Sequence, residues 1–398
     1  MEPIRDIEAL VEHAGRWPGT DAERRAARHL ERRLRAIGRE AELEPFEVWP
    51  RWPLAHLIHA LGAIAGSLVA VTAPLAGAIV LLAVALLTLG DLTGTLHLTR
   101  RLTGRRASQN VLSREDGDRP GTLVLVAHYD AARSGAVFND RAMRRRAWIG
   151  RVLHRPVGPF EPFFWAIVAS LVCALVRLAG IDTDALSAVQ FAAAVVLIVS
   201  VALLADIGLS EAVPGANDNA SGVATVLRLA DRYCDTLDHF DVWVLFTGSG
   251  EAFAQGARAF LRRHRGELER GRTVFVCVDK VGAGDVRYAR REGLLFARSH
   301  HPALIDLCEQ IADEDHEEGR YDARSIVSRS ATDAVPARGA KFAAASVSCL
   351  PEAGYAPHYH QPTDLPAHIE PEALERAFGF CSELIELIDD EIGPRLRD

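Results

Sequence analysis

Between Arg51 and Arg100 the chain carries a single acidic or basic side chain, Asp91, apart from the histidines His56, His59 and His97. Such a run limits what the chain can fold into. A helix rises about 1.5 Å per residue and a bilayer core is about 30 Å thick, so one crossing needs roughly 20 residues. This stretch fits two crossings with a turn near Thr72-Ala73-Pro74. A second apolar block runs from Phe163 to Val176. After Arg177 and the acidic turn Asp182-Thr183-Asp184, a third runs from Ala185 to Ala205. We therefore expect two transmembrane helical hairpins, four helices in all, over residues 54–98 and 163–206. The alternative is a pair of helical hairpins buried in a soluble protein. The length of the runs and their Leu, Val, Ala and Ile content favour the membrane.

Arginines give an orientation. Arg100, Arg101, Arg105, Arg106, Arg141, Arg144, Arg145, Arg146, Arg151 and Arg155 all lie outside the spans. The hairpin turns carry no Lys or Arg except Arg177, at a helix end. The positive-inside rule then places the polar segments in the cytoplasm, which suggests an integral protein of the plasma (inner) membrane. Beside membrane helices, the arginine clusters are expected to meet anionic lipid headgroups; solvated faces are the plainer reading. The net charge of -8 gives no case for nucleic acid. The six cysteines form no CxxC pair, so neither a zinc knuckle nor a redox motif is signalled, and free thiols suit a reducing compartment. Residues 1–45 are charged and helix-like, so a cleaved signal peptide is not expected.

The remaining segments alternate. Thr20 to Ile37 reads as an amphipathic helix, capped by Thr20 and Asp21 with Glu23 three residues after Thr20, and stopped by Gly38. Strands are expected at 40–48, Ser108–Ser113, Leu123–Ala127, Val242–Thr247, Val274–Val278, Leu294–Arg298 and Phe342–Cys349. Helices are expected at Gly222–Tyr233, Ala252–Arg263 and 371–390. Strands alternating with helices argue a three-layer α/β domain, made of residues 1–50, 100–160 and 208–398 and interrupted by the two hairpins.

Chemistry concentrates at strand ends and turns. His128 and Asp130 follow an apolar strand. Asp218 sits in Gly215-Ala216-Asn217-Asp218-Asn219-Ala220-Ser221-Gly222. Glu251 precedes a helix, Asp279 ends the very apolar Val274–Val278, and His360 lies in His360-Gln361-Pro362-Thr363-Asp364. Each has a plain explanation. HxD alone is a weak signal, Asp218 suits a helix cap, Glu251 suits a helix dipole, and His360 suits an exposed loop. Asp279 is harder to explain, because a carboxylate after so apolar a strand is costly unless it binds something. Together the five supply two imidazoles and three carboxylates, a ligand set for two zinc ions sharing one carboxylate. Manganese or cobalt are alternatives.

In these stretches the sequence resembles the zinc aminopeptidases of the aminopeptidase Y and aminopeptidase S type, relatives of glutamate carboxypeptidase and glutaminyl cyclase. The matching residues are Arg16-Trp17-Pro18-Gly19-Thr20, Val126 to Asp130, Gly215 to Gly222, Phe246 to Phe260, Val278-Asp279, Ala331-Thr332-Asp333 and His360 to Asp364. The resemblance implies a three-layer αβα zinc-exopeptidase domain with a mixed central sheet, and the hairpins are insertions into it. It implies His128 and Asp279 on one zinc, Glu251 and His360 on the other, and Asp218 bridging. Asp130 would hydrogen-bond His128 and fix its tautomer. A metal-activated water would attack the peptide carbonyl of the substrate.

The family pattern has two adjacent glutamates before the helix, general base and then ligand. Counting back from Gly256-Ala257-Arg258-Ala259-Phe260, Glu251 takes the ligand's place and Gly250 the base's place. A positioned proton shuttle is worth about 10²–10⁴ in rate, so Gly250→Glu is expected to raise turnover. Glu211 and His358 are other candidate bases. Four readings follow: a membrane-anchored zinc aminopeptidase; a peptidase-like membrane scaffold without catalysis; a cyclising enzyme on the same fold; and a transporter. The transporter is disfavoured because no charge lies at the middle of any span.

Overall fold

A computed structural model describes residues 2–397. Helix α1 (Pro3–Val11) leads into α2 (Asp21–Ala36), where the Thr20 hydroxyl accepts from the Glu23 amide at 3.2 Å, the expected cap. Strand β1 (Glu42–Val48) follows, and then the first apolar hairpin, α3 (Trp52–Thr72) and α4 (Pro74–Thr93). Pro74 breaks the run between them, as an interior proline must. The two helices pack so closely that a Cβ at Gly77 would lie 2.5 Å from the Ala70 Cα.

Strands β2 (Arg106–Ser113) and β3 (Gly121–His128) precede the short helix α5 (Asp140–Val152) and the second hairpin, α6 (Glu161–Leu178) and α7 (Asp184–Leu209). The chain then runs α8 (Gly222–Arg232), β4 (Phe240–Thr247), α9 (Gln255–Arg263), β5 (Thr273–Val278), β6 (Asp285–Glu292), β7 (Arg298–Ser299), α10 (Pro302–Glu318), β8 (Arg324–Ser328), α11 (Ala334–Gly339), β9 (Ala343–Leu350) and α12 (Pro371–Leu387).

One mixed sheet organises the domain, in the order β1-β2-β4-β3-β5-β9-β6-β7, with β8 beside β6. The central β4, β3, β5 and β9 are mutually parallel, β1 and β2 run antiparallel to their neighbours, and β6 is antiparallel to β9 and β7 but parallel to β8. The central strands are apolar on both faces, as a covered parallel sheet requires. Leu123, Leu125, Val242, Val244, Val274 and Val276 meet α1, α2, α8, α10 and α12 on one face. Val124, Val126, Leu245, Phe275 and Cys277 meet Phe260 of α9 and Ala334 and Ala337 of α11 on the other. The αβα layering matches the expectation.

One expected strand is misplaced. Residues 294–297 form a turn, and the long strand is β6, just before it. The segment Asp285–Glu292 carries five charges, which hides its alternation. It is a strand because its buried charges have partners: Arg287 donates to the Val286 and Asp322 carbonyls at 2.7 and 2.8 Å, and Glu292 accepts from the Thr332 amide at 2.8 Å.

The four apolar helices pack against one another through small and polar contacts. The Gln190 amide donates to the Ser67 carbonyl at 2.6 Å, and Arg177 donates to Gln190 and Ser187. Their outward faces leave Leu68, Leu75, Ile79, Leu82, Phe191 and Ile198 exposed, Phe191 by 71%. All four are long and apolar enough to cross a membrane. The six cysteines are free.

Candidate metal centre

The parallel register brings the candidate residues to one edge of the sheet. His128 ends β3 opposite Thr247, the last residue of β4, and Val126 faces Cys277 of β5. Two residues past that pairing, His128 and Asp279 leave adjacent strand ends. The loop after Thr247 supplies Glu251. This is the carboxyl end of the strands, where open α/β sheets place their sites.

The sites form two clusters with Asp218 in both: His128, Asp218 and Asp279, and Asp218, Glu251 and His360. His128 Nε2 lies 3.4 Å from Asp218 Oδ1 and 3.4 Å from Asp279 Oδ1. His360 Nε2 lies 3.1 Å from Asp218 Oδ2 and 3.5 Å from Glu251 Oε2. Zinc bonds to N and O of about 2.0–2.2 Å would set tetrahedral ligand atoms roughly 3.3–3.6 Å apart, which is close to these spacings. Both Asp218 carboxylate oxygens and Asp279 Oδ1 are buried without a hydrogen-bond partner in the protein. Buried carboxylate oxygens are costly in that state, and a cation between them removes the cost. The donor set and its spacing fit zinc.

The backbone around the two clusters is braced from behind. Arg16, fully buried, donates to the Tyr129 carbonyl at 2.8 Å, the Gly215 carbonyl at 2.7 Å and the Pro214 carbonyl, pinning the β3 end to the Asp218 loop. Burial pushes its guanidinium down to about 10, against the pull of Asp364 and Asp130. Asp364 accepts from the Asn217 and Asp218 amides at 2.7 and 3.1 Å and so ties the His360 loop to the same turn. Asn219 bridges the Val278 carbonyl and the Lys280 amide, both at 2.9 Å, and the Asp218–Asn219 peptide bond is cis. The sequence stretches around Arg16 and Asp364 were visible in the resemblance, but their bracing role was not.

Asp130 departs from expectation. Its oxygens accept from the Gly250 and Glu251 amides at 2.7 and 2.9 Å, while His128 Nδ1 stays 3.5 Å away and has no hydrogen-bond partner. One amide reaches each oxygen of the carboxylate, so Asp130 orients the Glu251 loop more directly than the imidazole.

Electrostatics follow from the crowding of carboxylates. Burial works against the charge on His128, but Asp130, Asp218 and Asp279 raise it well above the usual imidazole range. His360, likewise buried, is pushed up to about 9 by Glu251 and Asp218. Burial would raise Asp218, but Lys280 and both imidazoles hold it well below the usual range. Lys280 reaches Asp279 directly and lies 3.9 Å from Asp218.

A cavity of about 760 Å³ opens on the clusters. It is lined by His128, Asp218, Glu251, Asp279 and His360, and also by Trp52 and Phe160 at the ends of the apolar helices. Gly250 lines it without a side chain. A Cβ there would lie 2.5 Å from the His128 Cβ and 2.6 Å from its Cγ. Neither suggested replacement base is at the cavity: Glu211 is exposed, and His358 bonds Thr363 at 2.8 Å and stacks on His368. Asp333 does line it. Buried, it accepts from the Thr247 hydroxyl at 2.6 Å on one oxygen, and its other oxygen has no partner. Burial, with Asp130 and Asp279 nearby, pushes it up to about 6 against the pull of His128. The Ala331-Thr332-Asp333 stretch was the one available signal for it.

The arginines expected at lipid headgroups are placed differently from one another. Arg100 is buried against Asp91, and Arg155 pairs with Glu161 at 2.7 Å. Arg100 is therefore no part of a free basic face, whereas Arg155 keeps half of its side chain exposed. Arg141, Arg144, Arg145 and Arg151 of α5 are exposed.

Comparison with known proteins agrees with the fold. Residues 200–385 match the model of peptidase family M28. A zinc aminopeptidase from Bacillus subtilis superposes with a TM-score of 0.55 at 14% identity, covering 96% of this chain and 93% of that one. The Porphyromonas gingivalis glutaminyl cyclase gives 0.55 at 15% identity, covering 96% of each chain. An aminopeptidase from Aneurinibacillus sp. strain AM-1 gives 0.54 at 14%, covering 97% and 92%. No curated protein matches the chain in sequence. Residues 200–385 thus match peptidase family M28, and the chain as a whole shares the fold of these solved structures.

Proposed function

We propose that this protein is a membrane-anchored zinc peptidase that hydrolyses peptide bonds, as an aminopeptidase, at a centre of two metal positions sharing Asp218. One observation carries the reading: two His/carboxylate clusters meet at Asp218, with unpartnered buried oxygens, at one end of a cavity. His128 and Asp279 hold one position, Glu251 and His360 the other. Zinc in such a site supplies Lewis acidity toward a peptide carbonyl and toward water. The protein's own part is to fix the carboxylates in place and to take up a proton. Asp130 holds the Glu251 loop by two amides. With no carboxyl at 250, Asp333 is the buried carboxyl with a free oxygen that lines the cavity outside the clusters, and we assign it the proton.

The membrane part of the reading rests on the four apolar helices and their exposed outer faces. Contiguous exposed apolar surface of this kind is unfavourable in water. The peptidase domain then faces the cytoplasm, by the positive-inside rule. Helix α5 presents Arg141, Arg144, Arg145, Trp148 and Arg151 outward just before α6, with Trp148 exposed by 57%. These suit anionic headgroups.

Gly250 supports a second reading, a peptidase-like membrane scaffold, because a side chain at that position would run into His128. One experiment separates the two. The zinc-loaded protein is incubated in detergent with a mixed peptide library and followed by mass spectrometry, with His128→Ala as blank. Stepwise loss of N-terminal residues only in the wild type supports the aminopeptidase. Two metals bound per chain without cleavage moves the assignment to the scaffold.

A further inference from the structure

The loop that carries Glu251 is fastened at both ends, and at one of them the peptidase domain shares the work with the first apolar hairpin. On that side Asp130 takes the Gly250 and Glu251 amides. On the other side Gln255 of α9 donates to the Ala252 carbonyl at 3.0 Å, alongside contacts from the first apolar hairpin and its flanks. Arg100, just after α4, is fully buried. Its Nε bonds Asp91 of α4 at 2.7 Å, and its Nη1 donates to the Ala252 carbonyl at 2.9 Å. The guanidinium sits 4.3 Å over the Phe253 ring. That ring is enclosed by Trp52 and His56 of α3 and by Phe160 before α6, at centroid distances of 5.3, 6.0 and 5.8 Å. Asp91 is itself held by His97 Nδ1 at 2.7 Å and lies 3.1 Å from His56 Nε2.

The loop's backbone explains why so many contacts converge there. Ser249, Phe253 and Ala254 have φ of 56°, 68° and 53°. Side-chain-bearing residues rarely adopt this left-handed conformation, and it persists where surroundings hold it. Three such residues in six bracket Glu251. A loop released from Arg100 and the aromatic socket loses that support at Ala252 and Phe253 and keeps the restraints from Glu23, Asp130 and Gln255.

We infer that the apolar hairpin is a positioning element for the metal centre: through Asp91, Arg100 and the socket around Phe253, it sets the Glu251 carboxylate against Asp218 and His360. Arg100 touches no substrate; it acts through Ala252 and Phe253. The hairpin is then part of the site as well as an anchor, and the Asp218/Glu251/His360 position depends on it while the His128/Asp218/Asp279 position does not. The inference rests on the two-position reading above.

The test uses the full-length protein in lipid nanodiscs, as wild type, Arg100→Met, Phe253→Leu and, as control, Arg177→Met. Arg177 is a buried arginine of the second hairpin that bonds Gln190, Ser187 and Asp182 and touches nothing in the loop. Two readouts are taken: hydrogen exchange of the 249–254 amides, and cobalt binding followed by stoichiometry and visible absorption. Removing support behind a metal ligand costs about 10–100-fold in affinity. Arg100→Met and Phe253→Leu should therefore speed exchange of the loop and weaken one of two cobalt sites by at least about tenfold, leaving the other and Arg177→Met unchanged. If Arg100→Met fails to fold, Phe253→Leu, which keeps an apolar side chain in the socket, carries the comparison. Unchanged exchange and unchanged cobalt binding in the loop variants would overturn the inference. A wild type that binds fewer than two cobalt ions would sink the two-position reading; the exchange readout would still decide whether the hairpin holds the loop.

Discussion

Gly250 shows how a residue's meaning changes between the sequence and the folded chain. In the sequence it is a missing carboxyl, and Gly250→Glu is expected to restore turnover. In the structure a Cβ at 250 meets the His128 Cβ at 2.5 Å, tighter than side chains tolerate in a packed interior. We now expect Gly250→Glu to lower metal affinity at the His128 position and to lower turnover with it; a gain in kcat with full metal content would contradict this. Asp333 carries the opposite prediction. As a base it must be ionised, so activity is present above about pH 6 and is lost as pH falls through that value. His128 draws the Asp333 ionisation down, while Asp130 and Asp279 push it up. Asp333→Asn should cut kcat by roughly 10²-fold or more with metal content unchanged; full activity would remove Asp333 from the mechanism. Of the five proposed ligands only Asp279, after an apolar strand, breaks a local rule; the other four were legible through their order along the chain and the family resemblance. Asp333 was not, because Thr247, its partner, is distant in sequence.

At the scale of elements, the capping box at Thr20 is a case of partial legibility. The Thr20 hydroxyl takes the Glu23 amide, as the spacing predicts. The Glu23 carboxylate, however, accepts from the Gly19 amide at 2.7 Å, the Ser108 hydroxyl at 2.8 Å and the Ser249 amide at 2.9 Å. A local motif has become a tertiary joint between α2, β2 and the Glu251 loop. The α9 end holds another joint. His264 Nε2 lies 2.7 Å from Glu44 of β1 and its Nδ1 2.9 Å from Glu267. Burial works against the imidazolium, but the two carboxylates outweigh it and raise His264 above its usual value. A raised imidazole stabilises the fold fully below the unfolded value near 6.5 and loses that stability as pH rises through the folded value. The wild type should therefore lose roughly 1–2 kcal/mol more stability than His264→Gln between about pH 6 and pH 9. Parallel thermal melts at the two pH values check this; equal losses would mean the pair contributes nothing.

For the whole molecule, the question is where the four apolar helices reside. Leu82 lies close to the middle of α4 and is 49% exposed. A lysine at a bilayer centre costs about 2.5–3.5 kcal/mol, whereas on a water-facing helix it costs almost nothing. Leu82→Lys should therefore reduce the fraction of protein that stays in membranes after alkaline extraction. A wild type recovered in the soluble fraction would refute the membrane reading. The sequence by itself determined the apolar runs, the break at Pro74, the alternation that makes an αβα domain, and the residue types of the metal centre, because each depends on composition or on spacing within one segment. Tertiary structure alone decided the rest. It placed His128, Asp218, Glu251, Asp279 and His360 around a shared carboxylate, turned Asp130 onto two amides, closed the space at Gly250, and joined the Glu251 loop to the hairpin through Arg100. Those are contacts between segments far apart in the chain, and their geometry is set by strand register and packing, which no single segment encodes.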